Sequence, residues 1–152
     1  GEITTYRGDE MDFSYRHSIL SENKNLICIS ATFTLKEGKK DEIDAVMRDL
    51  MQRRITKQPL EYPSAGSVFK RPAPDLFVGK MIEDSGLKGY TVGGAQVSEK
   101  HAGFIVNRGG ATAEDVKTLV RLVQDEVEKL YRYRLECEIQ LVSDGLGDDG
   151  DW

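Results

Sequence analysis

The chain is poor in the residues that most often announce a chemistry: two cysteines, two histidines and one tryptophan occur among its 152 residues. Cys28 and Cys137 each sit in an apolar stretch. No Cys/His ligand spacing is present, and buried free thiols, rather than a disulfide or a metal site, are the expectation for both. No apolar run approaches the roughly 20 residues that cross a bilayer, and Gly1-Glu2-Ile3-Thr4-Thr5 lacks the basic-then-apolar pattern of a leader. The expectation is a cytoplasmic protein with no membrane partner. An excess of positive charge is also missing. The net charge is −5, and Asp144, Asp148, Asp149 and Asp151 account for four of those five charges. No basic patch is legible, which argues against nucleic acid as a partner. Internal repeats are absent, and the length amounts to about one domain.

What is present is periodicity. From Asn25 to Leu35, Ile27, Ile29, Ala31, Phe33 and Leu35 alternate with Cys28, Ser30, Thr32 and Thr34, the pattern of a half-buried strand. Gly38-Lys39-Lys40 interrupts it. Ile43, Val46, Met47, Leu50 and Met51 then recur at helical spacing to about Arg54, predicting a helix lying across a sheet and stopped by Pro59. Asp75 after Pro74 is placed to cap a short helix ending at Ser85, with Gly86 as terminator. The stretch from Gly86 to Asn107 is rich in glycine, but neither GxxxxGK[ST] nor GxGxxG occurs in it. It reads as turns between short strands, at about Tyr90–Val92 and Gly103–Asn107. Thr112 and Asp115 form a capping box ahead of the longest helix, whose stripe is Val116, Leu119, Val120, Val123, Val127, Leu130 and Tyr131. A last strand is expected over Leu135–Val142. The Gly/Asp-rich residues 144–152 lack the glutamate that closes a calcium loop and read as a flexible tail. The predicted fold is α+β and two-layer: a mixed four- to five-stranded sheet with two to three helices on one face.

One stretch stands apart from this regularity: Glu61-Tyr62-Pro63-Ser64-Ala65-Gly66-Ser67-Val68-Phe69-Lys70. Pro63 and Gly66 fix a rigid corner, and Val68-Phe69 belong in a core. Ser67 therefore stands where a turn meets buried structure. Such a serine ordinarily hydrogen-bonds its own turn, and a hydroxyl held this firmly can also donate or relay a proton.

Three long motifs, in order, carry a resemblance. Gln58 to Pro72, with its Gly66-Ser67-Val68-Phe69-Lys70 centre, is similar to UDP-N-acetylenolpyruvoylglucosamine reductase (MurB), as are Gly79 to Tyr90 and Gly93-Gly94-Ala95-Gln96-Val97-Ser98-Glu99-Lys100-His101 to Asn107. Leu135-Glu136-Cys137-Glu138-Ile139 resembles the family's closing Leu-Glu-Pro-Glu-Val, with cysteine in place of proline. Phe13-Ser14-Tyr15-Arg16-His17-Ser18-Ile19 resembles the Tyr-Arg motif that ends its flavin domain. The resemblance implies that residues 1–24 are the end of an FAD-binding domain, 25–143 the C-terminal substrate-binding domain and 144–152 a tail. The rest of the flavin domain, with its glycine-rich loop over the FAD pyrophosphate, is not in these residues.

The implied chemistry is reduction of the enolpyruvyl ether of UDP-N-acetylglucosamine to UDP-N-acetylmuramate, with NADPH reducing FAD. By motif, Ser67 is the proton donor to C2, Arg16 holds the substrate carboxylate, and Glu138 assists at the same centre. Tyr15 matches an aromatic at the flavin-substrate junction. Lys57, Lys88 and His101 match positions that contact the nucleotide part, and Arg71 stands where some members carry a substrate-contacting asparagine. The implied partners are the enolpyruvyl substrate and the missing FAD-binding domain. A non-redox module that binds a uridine nucleotide sugar is the alternative reading.

Overall fold

The structure, a computed structural model, describes residues 1–142. These fall into two compact units, Gly1–Lys40 and the residues from Asp41 onward. The expected tail at 144–152 lies outside the described residues.

The first unit has little regular structure. A 3₁₀ turn at Gly8–Glu10 and helix α1 at Ile19–Glu22 flank a small loop in which Ser14 and His17 exchange backbone hydrogen bonds of 3.2 Å. His17 closes that loop. Its Nδ1 donates to the Asp12 carbonyl at 3.0 Å and its Nε2 to a Glu22 carboxylate oxygen at 2.9 Å. Both ring nitrogens then carry hydrogen, and the Glu22 bond is the main cause of a raised His17 pKa. Arg16, one residue earlier, has φ +60°.

The strand expected over Asn25–Leu35 is not formed. No described residue pairs with this stretch, and Ile27, Ile29, Phe33 and Leu35 are all exposed. Alternation says which side chains would be buried if a neighbour were present; it cannot supply the neighbour whose backbone completes a ladder. Helix α2, Lys40–Lys57, does form, three residues beyond its expected end, but it buries none of its residues. It is not laid on the sheet. Ion pairing of Asp49 with Arg53 at 2.8 Å, and a 3.1 Å bond from Arg54 to Gln58, support it along its surface.

From Pro59 the chain acquires a core. Strands β1 (Ser64–Ser67), β2 (Thr91–Val92), β3 (Ala95–Val97) and β4 (Phe104–Asn107) form one sheet in the order β1-β4-β3-β2. Every pairing is antiparallel, so the expected mixed sheet is corrected to a purely antiparallel one of four strands. The crossovers that parallel pairing demands are replaced here by tight turns and one short helix. Gly93-Gly94 turns β2 into β3. Gly94 admits no side chain, because a Cβ there would lie 2.4 Å from the Ala111 nitrogen and the Gly109 oxygen.

Helices α3 (Val78–Asp84) and α4 (Ala113–Tyr131) complete the fold. Asp75 does not cap α3, which starts three residues later with Phe77 at its N-cap. Gly86 ends it with φ +74°, as expected. The capping box of α4 is formed: the Asp115 amide donates to Thr112 Oγ1 at 3.1 Å, and the Thr112 amide to Asp115 Oδ2 at 2.9 Å. Its stripe of Leu119, Val120, Val123 and Val127 is fully buried with Val68, Phe69, Met81, Ile82, Val97 and Leu135. Expected strand Leu135–Val142 is reduced to a single bridge, Cys137 to Phe69.

Two leucines one helix apart should therefore behave differently. Leu119 is 0% exposed and Leu50 is 57% exposed. In chemical denaturation, Leu119→Ala is expected to lower stability by about 3 kcal/mol, and Leu50→Ala by less than about 1 kcal/mol.

Candidate functional site

The corner at Ser67 is built by a mismatch in strand length. Ser64 faces Val106 and Ser67 faces Phe104, so β1 fits one more residue than β4 into the same span. The excess is a bulge at Ala65-Gly66, with Gly66 at φ +87° where a side chain would be strained. The bulge re-aims the end of the strand. Ser67 is exposed, yet the next residue, Val68, is 2% exposed and donates its amide hydrogen to the Gly103 carbonyl at 2.9 Å.

His101 approaches from the β3–β4 turn. Ser98 Oγ, itself buried, accepts the amides of Lys100 and His101, each at 3.2 Å, and so fixes the turn. The imidazole folds back until Nδ1 accepts the Gly103 amide hydrogen at 3.1 Å. A backbone N–H can only donate, so the hydrogen of the neutral ring is on Nε2. Gly103 is the divider of this site. A Cβ on it would lie 3.2 Å from His101 Nδ1 and 3.7 Å from Ser67 Oγ, so the hydroxyl and the imidazole flank one glycine. The Phe104 ring packs edge-on against His101 at 5.0 Å.

Glu138, near the end of the described chain, is bonded through its backbone to the residue after Ser67. Its amide donates to the Val68 carbonyl at 2.8 Å, and its Oε2 is withdrawn from solvent. Ser67 and His101 thus flank Gly103, and the backbone of Glu138 is bonded to that of Val68. The other predicted residues are engaged more locally. Arg71 lays its guanidinium 4.2 Å from the Phe77 ring centre and donates to the carbonyls of Pro74 and Leu76. Lys88 pairs with Glu83 at 3.0 Å, and Lys57 is exposed at the last position of α2. Tyr15 and Arg16 belong to the first unit, where the guanidinium lies 5.6 Å from the tyrosine ring centre.

Two contacts went unread in the sequence. Lys100 bonds Glu61 at 3.3 Å, joining the turn of His101 to the approach of Ser67, and Arg108 covers the Tyr62 ring at 4.1 Å. A third, Gln124, left a signal: it is a polar residue inside the apolar stripe of α4. Among the described residues no cluster of His, Cys, Asp and Glu could hold a metal ion, and no helix is long and apolar enough to cross a membrane.

Cys28 is exposed, against expectation, because the stretch around it has no neighbouring strand; Cys137 is half-buried across from Phe69. Burial pushes the Cys137 thiol up to about 11, with Arg134 and Lys70 pulling weakly the other way. A thiol whose folded value is raised favours the fold while protonated, so its contribution is complete below the ordinary value of 9.0 and is lost as pH rises toward about 11. Denaturation midpoints followed from neutral pH to about 11 should fall more steeply for the unaltered chain than for Cys137→Ala. Parallel curves would show that the thiol takes no part.

Residues 58–142 match the profile of a protein family described as UDP-N-acetylenolpyruvoylglucosamine reductase, C-terminal domain. Curated relatives bearing the name UDP-N-acetylenolpyruvoylglucosamine reductase include one from Fervidobacterium nodosum. It is 57% identical over 133 residues, covering 88% of this chain and 43% of the relative. Another, from Thermotoga maritima, is 51% identical over 141 residues, covering 93% and 49%. The crystal structure of the same reductase from Thermus caldophilus superposes with a TM-score of 0.75 at 38% identity, covering 89% of this chain and 47% of that one. The chain therefore spans about half the length of the curated relatives it matches.

Proposed function

The chain belongs to the family of UDP-N-acetylenolpyruvoylglucosamine reductase C-terminal domains, and from this we propose that it is the substrate-handling part of a reductase. The reaction is conversion of UDP-N-acetylglucosamine enolpyruvate to UDP-N-acetylmuramate, a cytoplasmic step of peptidoglycan precursor synthesis. The observation that carries the reading is the corner at Ser67. A hydroxyl is presented at the surface by a bulge, beside a buried strand, one residue from the carbonyl that holds Glu138.

In this reading Ser67 gives its proton to C2 of the enolpyruvyl group. Serine is a weak acid, so the transfer needs a neighbour that stabilises the oxygen or restores its proton, and Glu138 takes that part. Arg16 grips the substrate carboxylate, for which a planar two-pronged donor is better suited than an ammonium. Tyr15 lines the approach to the reacting end, while Lys57, Arg71, Lys88 and His101 serve the nucleotide part. His101 is well suited as a neutral donor, because its Nδ1 is committed to Gly103.

FAD and NADPH are the cofactors of the proposed reaction, and the described residues do not fit a dinucleotide. The glycines between Gly86 and Gly110 are spent on turns, several at positive φ, and Gly94 is closed off by the backbone of residues 109–111. Hydride delivery is assigned to no residue of this chain. The first residues, 1–24, are read as the end of a flavin-binding domain, 25–143 as the substrate-binding domain, and 144–152 as a tail.

The test is Ser67→Ala in a reductase of the relatives' full length that carries this segment. The expected result is a kcat lower by about a thousandfold, with flavin reduction by NADPH unchanged. Undiminished turnover of the enolpyruvyl ether overturns the proton-donor role. Calorimetric binding of UDP-N-acetylglucosamine by the full-length protein without any turnover would favour a non-redox binding module instead.

A further inference from the structure

One edge of the His101 ring rests against two glycines from different parts of the chain. A Cβ on Gly103 would lie 3.0 Å from His101 Cε1 and 3.2 Å from Nδ1. A Cβ on Gly79, the second residue of α3, would lie 3.1 Å and 3.4 Å from the same two atoms. Carbon atoms in good contact stand about 3.5–4.0 Å apart, so a methyl group at either position claims space that the ring now holds. Backbone conformation does not explain the glycine at position 79. Gly79 lies outside the positive-φ region, and alanine is the better helix former. What calls for glycine there is the imidazole.

The seat cannot widen. On one side α3 is anchored by Met81 and Ile82, which are 2% and 1% exposed and follow Gly79 within a single turn. On the other, Gly103 stands between buried Ala102 and Phe104, and its carbonyl accepts the Val68 amide hydrogen at 2.9 Å. The part able to move is the His101 side chain. Swinging it away to admit a methyl group would break the 3.1 Å bond from the Gly103 amide to Nδ1, the bond that keeps the hydrogen of the neutral ring on Nε2. It would also leave the amide of a buried residue without its acceptor.

We infer that Gly79 is a positioning residue for His101: by presenting bare helix backbone it seats the imidazole edge, holds the ring as the Nε2–H tautomer and fixes where that donor points. The inference rests on the reading of His101 as a donor to the nucleotide part of the substrate, whose diphosphate oxygens are acceptors, and adds what aims it.

Denaturation midpoints of four chains test the seat: the unaltered chain, Gly79→Ala, His101→Ala and the double variant. Alanine at 79 is expected to raise the midpoint where His101 is absent, through helix propensity, and to lose that gain where His101 is present. A purely structural role for Gly79 would give the same shift in both backgrounds. An equal shift, or one less favourable without His101, overturns the inference. Should a variant fail to fold, long-range nitrogen–hydrogen spectra of the unaltered chain at alkaline pH decide, with His17→Gln assigning the other ring. A single hydrogen held on Nε2 of His101 supports the seat, and exchange between both nitrogens overturns it. In a reductase of the relatives' full length that carries this segment, Gly79→Ala is expected to raise KM for the enolpyruvyl ether by about tenfold, the loss of one aimed hydrogen bond. An unaltered KM overturns the positioning role. A reductase with no turnover before any substitution would instead sink the proposed reaction and leave the midpoints and the tautomer standing.

Discussion

The backbone of Val68 is the joint on which the second unit depends. Its amide donates to Gly103 on one side and its carbonyl accepts from Glu138 on the other, while its side chain is sealed in the core with Val123 and Leu135. Each such hydrogen bond adds only about 1 kcal/mol net, but leaving either group unmade in a buried place would cost more than that. The joint therefore fixes three segments at once. It also fixes them beside Ser67, so the rigidity of the core is transmitted to an exposed hydroxyl through a single peptide step.

Helical periodicity was easy to read, and burial was not. In α4 Leu119, Val120, Val123 and Val127 lie in the core, as their spacing implies, but Leu130, expected in the same stripe, is 56% exposed. In α2 an equally regular stripe of Ile43, Val46, Met47, Leu50 and Met51 stays in water. Periodicity reports which side of an element is apolar; only tertiary context says whether anything covers it. The same limit explains Asn25–Leu35, where alternation was perfect and no strand formed. The last strand failed for a related reason. A short apolar-alternating segment needs a full partner ladder, and Val68–Lys70 offers room for a single bridge.

For the site, residue types were legible and their arrangement was not. Ser67 was marked by Pro63 and Gly66 around it, and the positive φ of Gly66 bears out the corner. The bulge that turns Ser67 outward could not be seen, because it depends on β4 being one residue shorter over the same span. His101 was legible only by likeness to a motif. Its tautomer comes from a bond to the backbone two residues ahead, which no pattern of side chains encodes. Glu138 was nameable only from its motif, since Glu136 fits the same alternation.

The sparse pairing around Ser67 has a physical logic. A site assembled at the meeting of short, sparsely bonded strands is open enough to admit a ligand but weak in register, since few ladder bonds resist a two-residue slip. A long helix packed over the whole core has the opposite character. The buried residues of α4 are fixed by their neighbours in the core, so the hydrogen bond from Gln124 ties the Leu135 carbonyl to a rigid body. Burying one glutamine there sacrifices a little apolar contact. What is gained is a fixed distance between the helix that stabilises the domain and the backbone at Leu135.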